Sequence, residues 1–267
     1  MRQFLSEVEP DSDGCILVQG KKAHHLAEVL RVKAGDMVYA RLPQSGVLQP
    51  MTVAQVDSTK KTVLLQVAGE LLASDPDGTK DAVQLPEIWL FQFVAKPPKM
   101  DIIIRQATEC GVSFIVPVEG KFCQGGAVES ARKKADVRDD RWTRIISEAR
   151  EQSGSAVQTK VLPSVGLEAA MDMLSENNLY GIVLYEQTGG TKTLADAVGA
   201  MGEKEKAALF VGAEGGIASE EIEYMQGRGI VPVHFATNIL RCETAALYGT
   251  AVLQNALVEK ELWKFKE

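Results

Sequence analysis

The stretch LFVGAEGG, residues 209–216, carries an apolar run into a turn with glycine at 212, 215 and 216 and a carboxylate, Glu214, at its centre. Glycine turns that follow a strand commonly hold phosphate against the start of the next helix. This one matches neither phosphate fingerprint. The dinucleotide turn requires G-x-G-x-x-G with an acidic residue about 20 positions on, whereas this turn reads G-A-E-G-G. The P-loop requires Lys-Ser or Lys-Thr after its last glycine, and Ile217 follows Gly216. A carboxylate beside a pyrophosphate in a partly desolvated turn would cost on the order of 1 kcal/mol or more at an effective dielectric near ~20. Two readings remain. The turn meets a ligand that carries positive charge and many hydrogen-bonding groups, or Glu214 points to water.

A second stretch, NILRCETAALYGTAVLQNAL (238–257), places the apolar pair Ile239-Leu240 before Arg241 and then opens a helix with Glu243-Thr244. The first turns of that helix are small, with Ala245, Ala246, Gly249 and Thr250, so another segment can approach closely. Free amides at such a helix start hold a ligand or are capped locally.

Size and composition narrow the classes around these stretches. At 267 residues with 45% apolar content, the chain exceeds the usual limit of one core and predicts two domains. No stretch reaches the roughly 18 apolar residues of a membrane span, and no export signal opens the sequence, so the expectation is a soluble cytoplasmic protein. Cys15, Cys110, Cys123 and Cys242 form no C-x-x-C pair, and His24, His25 and His234 form no ligand cluster, so no metal is expected. The net charge of −7 is unevenly spread. Residues 96–144 carry ten Lys or Arg against seven Asp or Glu, and residues 145–267 carry ten against seventeen. A basic face for nucleic acid on an acidic protein and a solvated helix surface around ARKKADVRDDR both fit this count.

Residues 1–72 read as short strands (CILVQ, DMVYAR, VLQPMTVAQV, KTVLLQVAG) with one helix near KKAHHLAEVLR, which predicts a small β-barrel. The Asp-, Gly- and Pro-rich stretch at 73–86 reads as a linker. From 87 to 267 strands and helices alternate: IWLFQFV (88–94), a helix through DIIIRQATEC ending at Gly111, VSFIVPV (112–118), and a helix over 139–153. The strands GIVLY (181–185) and AALFV (207–211) and a terminal helix from Glu243 to about Trp263 complete a mostly parallel α/β pattern. In the 139–153 helix, Trp142, Ile145, Ile146 and Ala149 form an apolar stripe that predicts packing on the sheet, with Asp139 or Asp140 as N-cap and Gly154 as the stop.

Taken together, LFVGAEGGIASEEIE and NILRCETAAL resemble the C-terminal motifs of the SPOUT methyltransferases, in particular the family that methylates ring nitrogen 3 of a uridine in 16S ribosomal RNA. MRQF, HHLAEVLRVKAGD (24–36), KPPKMDIIIRQATECGVSFIVPV (96–118) and RWTRIISEAREQSG (141–154) fall in that family's order, so the resemblance spans the chain. It implies an N-terminal PUA-like RNA-binding β-barrel and a C-terminal SPOUT α/β domain with a deep trefoil knot. It also implies S-adenosylmethionine in the knot and a homodimer through that domain, acting on 16S rRNA or the small ribosomal subunit. The cofactor residues it carries over are Leu184, Val211, Gly212, Glu214, Gly215, Gly216, Ile239, Leu240, Arg241, Thr244 and Ala245.

The acceptor nitrogen of uracil is protonated at neutral pH, so a base or a stabilising cation is required. Arg241 is the candidate for charge stabilisation, against an ion pair with Glu243. Glu214 and Glu243 are the candidate bases, against a placement of Glu243 that merely favours the helix dipole. RNA contacts are expected from Arg2, His25, Arg31, Lys96, Lys99, Arg105, Arg144 and Gln152, with His25 equally readable as a packed or surface histidine. Three positions depart from the family pattern, Ala213 for a proline in the turn and Ser155 and Asn238 for arginines, and they keep two alternatives open: a SPOUT methyltransferase acting on another RNA position, or a catalytically silent RNA-binding protein of the same fold.

Overall fold

The computed structural model describes residues 2–43, 47–72, 85–134, 140–202 and 206–259, and its contacts divide the chain into two compact units, 1–84 and 85–267. The stretch read as a linker lies almost wholly outside the described residues, as do the Asp139 cap candidate and the last residues of the terminal helix. Among the described residues no helix is long and apolar enough to cross a membrane.

The first unit is a five-stranded mixed sheet in the order β1 (Gln3–Leu5), β3 (Met37–Arg41), β4 (Leu48–Asp57), β5 (Thr62–Val67), β2 (Cys15–Gln19). Its described pairings form one open path, parallel only between β1 and β3. Alternation decides which face is buried: in β5, Val63 and Leu65 are sealed while Leu64 between them is only half-buried. A bulge between Val53 and Gln55 shifts the register of β4 against β5 and bends the sheet around Phe4, Leu26, Val38 and Met51. The helix expected near KKAHHLAEVLR is α1 (Gly20–His24), continued by a π-helical turn over His25–Val29. The wider turn places Leu26 in the core and leaves His25 half-buried.

In the second unit seven strands form a wholly parallel sheet. Its order is β12 (Val231–Val233), β10 (Tyr180–Leu184), β11 (Lys206–Val211), β6 (Glu87–Phe93), β7 (Phe114–Glu119), β8 (Lys160–Val161), with β9 (Val165–Gly166) also on β7. The central strands read as continuous apolar runs because both faces are covered. One face packs α2 (Pro97–Glu109), α4 (Asp140–Ser153), α6 (Leu194–Gly199) and α8 (Cys242–Val258), and the other packs α5 (Leu167–Glu176) and α7 (Ser219–Gly227). An additional helix, α3 (Gly125–Lys134), lies between β7 and α4 in the chain.

Trp142, Ile145 and Ala149 of the α4 stripe are buried and Ile146 half-buried, but the helix's main partner is α2 rather than the sheet. The reason is polar. Asp101 of α2 is buried and accepts hydrogen bonds from Arg141 Nε at 2.9 Å and Trp142 Nε1 at 3.1 Å, with Lys134 Nζ at 3.7 Å. A buried carboxylate requires such partners, and α4 supplies two of them from its first turn. Burial alone would raise the Asp101 pKa; the Arg141 and Trp142 hydrogen bonds and the Lys134 charge outweigh it, and the carboxyl titrates below its ordinary range. Because the folded-state pKa is the lower one, this stabilisation is present above the unfolded value of about 3.9 and is lost as pH falls through the folded value. Asp101→Asn is expected to lower unfolding stability at pH 7 by about 2–3 kcal/mol. The deficit should shrink below pH ~3 in urea titrations followed by circular dichroism.

Candidate active site

The chain reverses direction of sheet growth between β6 and β11: β7 and β8 extend one side, β10 and β12 the other. In open parallel sheets the crevice at the carboxyl ends of the strands beside such a switch is where ligands bind. Here the segments that follow β10, β11 and β12 close around one cavity of about 410 Å³.

Its floor is the glycine turn. Gly216 adopts φ +75°, and its N–H donates to the Ala213 carbonyl oxygen at 3.0 Å. A Cβ on Gly212 would lie 2.9 Å from the Gly216 carbonyl carbon, so the two ends of the turn touch and only glycine fits. Ala213 is buried under the turn, and the buried Gln92 of β6 donates from Nε2 to the Gly212 carbonyl oxygen at 3.1 Å. The turn is thereby fixed without the proline at 213.

Glu214 does not point idly to water. Its Oε1 accepts the Lys96 backbone N–H at 3.1 Å and lies 3.7 Å from Lys99 Nζ. Lys96 is the N-cap of α2, and Pro97 opens the helix, so the carboxylate sits on the positive end of the helix dipole. Lys99 also pairs with Glu243 Oε2 at 3.0 Å, and its Nζ is 3.7 Å from Cys242 Sγ. The Glu243 hydrogen bond holds Lys99 above its ordinary pKa. Burial pushes Glu243 upward, yet its own backbone amide, Lys99 and Cys242 prevail and hold it below the usual range. Burial first, then the bond to Glu243, raises the Cys242 thiol to about 12, so it stays protonated.

Of the expected cofactor residues, Leu184, Val211, Gly212, Glu214, Gly215, Gly216, Ile239, Leu240, Arg241 and Ala245 line the cavity. Thr244 is exposed in the first turn of α8 and does not. Gly249 is close-packed as the small residues suggested: a Cβ there would meet Leu184 Cδ1 at 2.6 Å. Arg241, the N-cap of α8, is exposed, lines the cavity and has no ion-pair or hydrogen-bond partner for its guanidinium among the described residues. Asn238 also lines the cavity, while Ser155 lies beyond α4.

The RNA candidates separate. Lys99 belongs to the cavity. Arg2, His25 and Arg31 are in the first unit, where Arg2 pairs with Asp36 at 2.6 Å. Lys96, Arg105, Arg144 and Gln152 are exposed on the second unit. Sequence reasoning missed Tyr185, Glu186, His234 and Phe235, which complete the wall. Tyr185 ends the stretch read as the strand GIVLY and Glu186 follows it, while His234 and Phe235 follow β12, a strand the sequence reading did not include. His234 Nδ1 is 3.2 Å from the Tyr185 carbonyl oxygen, which fixes the proton on that nitrogen. Among the described residues no group of three His, Cys, Asp or Glu is placed to hold a metal.

Residues 83–254 match the RNA methyltransferase domain family, close to two thirds of the chain. The chain belongs to this family. Relatives of this RNA methyltransferase include ribosomal RNA small subunit methyltransferase E of Bacillus subtilis, 24% identical over 240 residues and covering 88% of each chain. The protein of the same name from Aquifex aeolicus is 30% identical over 172 residues, 63% of this chain and 69% of that one. The crystal structure of the Neisseria gonorrhoeae ribosomal RNA small subunit methyltransferase E bound to S-adenosyl methionine superposes with a TM-score of 0.76 at 22% identity over the full length of both chains.

Replacing Lys99 by Met leaves Glu214 and Glu243 facing each other without a cation. Glu243 has a depressed folded-state pKa, so its contribution is present above the unfolded value of about 4.3 and disappears as pH falls through the folded value. Lys99→Met is expected to cost about 1–2 kcal/mol at pH 7 and less below pH ~4, measured as the pH dependence of the thermal midpoint.

Proposed function

We propose that this RNA methyltransferase transfers a methyl group from S-adenosylmethionine to ring nitrogen 3 of a uridine in the small-subunit ribosomal RNA. The observation that carries the reading is the cavity itself, with a glycine turn and a helix start converging where two carboxylates and two cations are held. Its volume lies within the roughly 300–1,000 Å³ typical of small-molecule sites. The turn bares backbone at Gly212, Gly215 and Gly216, and Glu186 and Glu214 on its walls would repel a pyrophosphate and suit a sulfonium. The residues present therefore fit the donor. The names of the relatives support ribosomal RNA as acceptor.

In this reading the ten expected residues that line the cavity bind the donor, chiefly through backbone groups at Leu184, Gly212 and Leu240. When bound, the donor supplies an electrophilic methyl group on positively charged sulfur. The chain's task is to position the acceptor in line, exclude water and stabilise charge that develops on the uracil oxygens. Arg241, unpaired at the mouth, serves that charge. Glu243 is held by Lys99 and acts on the helix start rather than as base. The first unit is the PUA-like barrel that holds RNA through Arg2, His25 and Arg31, with the 73–86 stretch as linker. The domain at 87–267 carries the trefoil knot of the SPOUT fold and forms a cytoplasmic homodimer. Lys96, Arg105, Arg144 and Gln152 add contacts along the RNA backbone, where most such positions bind phosphate. The target uridine is unstacked from a loop or junction to reach the site.

Methylation at ring nitrogen 3 blocks base pairing and stops reverse transcriptase. Small subunits from a strain lacking the protein are expected to lose one such stop, and incubation with purified protein and S-adenosylmethionine to restore it. A stop that persists in the deletion strain rules the reading out. Arg241→Ala is expected to lower kcat by about 10²–10³, the scale of losing one charge-stabilising donor, in single-turnover methyl transfer.

A further inference from the structure

We propose that Glu186 is the residue that takes the ring proton of the acceptor base, and that with Arg241 it selects an imide-bearing base; this rests on the donor and acceptor assigned above. Four carboxylates and thiols stand in or beside the cavity, and three are committed. Glu214 is bound to the start of α2 and to Lys99, Glu243 is paired with Lys99, and Cys242 is held as a thiol. Glu186 is the fourth. It is exposed on the segment after β10, lines the cavity, and has no hydrogen-bond or ion-pair partner among the described residues. Its carboxylate reaches over the glycine turn: a Cβ built on Gly216 would lie 3.7 Å from Oε1 and 3.9 Å from Oε2. A free carboxylate and a free guanidinium thus line one cavity.

That pair matches the hydrogen-bonding edge of uracil, an N–H between two carbonyl oxygens. Glu186 accepts from the N–H and Arg241 donates to an oxygen. Cytosine presents a lone pair at the same ring nitrogen, which a carboxylate repels. In the transfer step the N–H proton passes to a Glu186 oxygen. The nitrogen electron pair forms the bond to the donor's methyl carbon, and the carbon–sulfur bond pair stays on sulfur, which leaves as a neutral thioether. The protonated carboxyl then returns its proton to water.

The remaining candidate base is His234, whose Nδ1 is engaged by the Tyr185 carbonyl and whose other nitrogen has no hydrogen-bond partner among the described residues. Charge decides between them. An imidazole that accepted the proton would place a second cation beside the sulfonium, whereas Glu186 begins as an anion that the sulfonium attracts and ends neutral. The other charged or titratable groups lining the cavity are Lys99 from α2, Glu214 from the turn, Cys242 and Arg241 from the start of α8, and Tyr185 beside Glu186.

The test uses full-length protein, S-adenosylmethionine and undermethylated small subunits. Glu186→Gln is expected to weaken donor binding by no more than about tenfold in calorimetry, since one charge that attracts the sulfonium is lost while the site stays folded, and single-turnover methyl transfer at saturating donor falls about 10²–10³-fold. Its rate should then climb about tenfold per pH unit, because the base must lose its proton to solvent, while the parent rate depends less steeply on pH. Two results would overturn the assignment. One is a Glu186→Gln variant whose rate recovers fully at saturating donor, which marks a donor contact alone. The other is a parental pH profile in that variant together with the steep profile in His234→Ala. If the parent protein itself transfers no methyl group, the functional reading fails and this assignment with it, a result distinct from either of these.

Discussion

A single ammonium group organises the carboxyl-end face of the parallel sheet. Lys99 stands between Glu214 and Glu243, and so joins the first turn of α2, the turn after β11 and the first turn of α8. The start of α2 lies more than a hundred residues before the other two segments, and the named strand ladders of the described residues do not include any of the three. The cluster carries one positive and two negative charges in partly buried surroundings, an arrangement stable only with additional donors. The Lys96 amide at the start of α2 supplies one for Glu214. The carboxylate in the middle of the glycine turn is therefore structural: it anchors the turn so that its glycine backbone can face the cavity.

The same constraint separates the cavity's charges into two kinds. Glu214, Glu243 and Lys99 satisfy one another and set geometry. Among the described residues Arg241 and Glu186 have no ion-pair or hydrogen-bond partner, which leaves them available to a ligand. Composition cannot draw this distinction, since both kinds are simply charged residues near glycines. Lys99 shows the difficulty most clearly: in a basic stretch it reads as a phosphate contact, and the fold turns it into a brace.

Much of the architecture was legible beforehand. The strands β6, β7, β10 and β11 and the helices α2, α4 and α8 follow from apolar runs, helical spacing and glycine punctuation, and the two stretches singled out, the turn and 238–245, line one cavity in the structure. Helices α3, α5, α6 and α7 were not read. The first is polar along most of its length, and α6 is short and starts from Thr193, whose hydroxyl accepts the Asp196 N–H. Helix α4 was read with the right face but the wrong partner, because a buried Asp101 on α2 is invisible to apolar periodicity. Tyr185, Glu186, His234 and Phe235 were missed for a different reason. They sit just past strand ends, in segments without pattern, and are brought together only by the pairing of β10 with β12 and by Phe235 packing edge-on to Tyr248 at 5.1 Å.

Strand order has a further consequence for biogenesis. β11 fills the gap between β6 and β10, yet it follows β6 by more than a hundred residues. Until synthesis passes residue 211, both neighbours present bare parallel edges, the kind of surface that recruits other chains. Closing the sheet is thus a late, long-range event that no local hairpin can seed, and such topologies form slowly. A chain that ends before residue 206 keeps both edges bare and also lacks the 212–216 turn that floors the cavity.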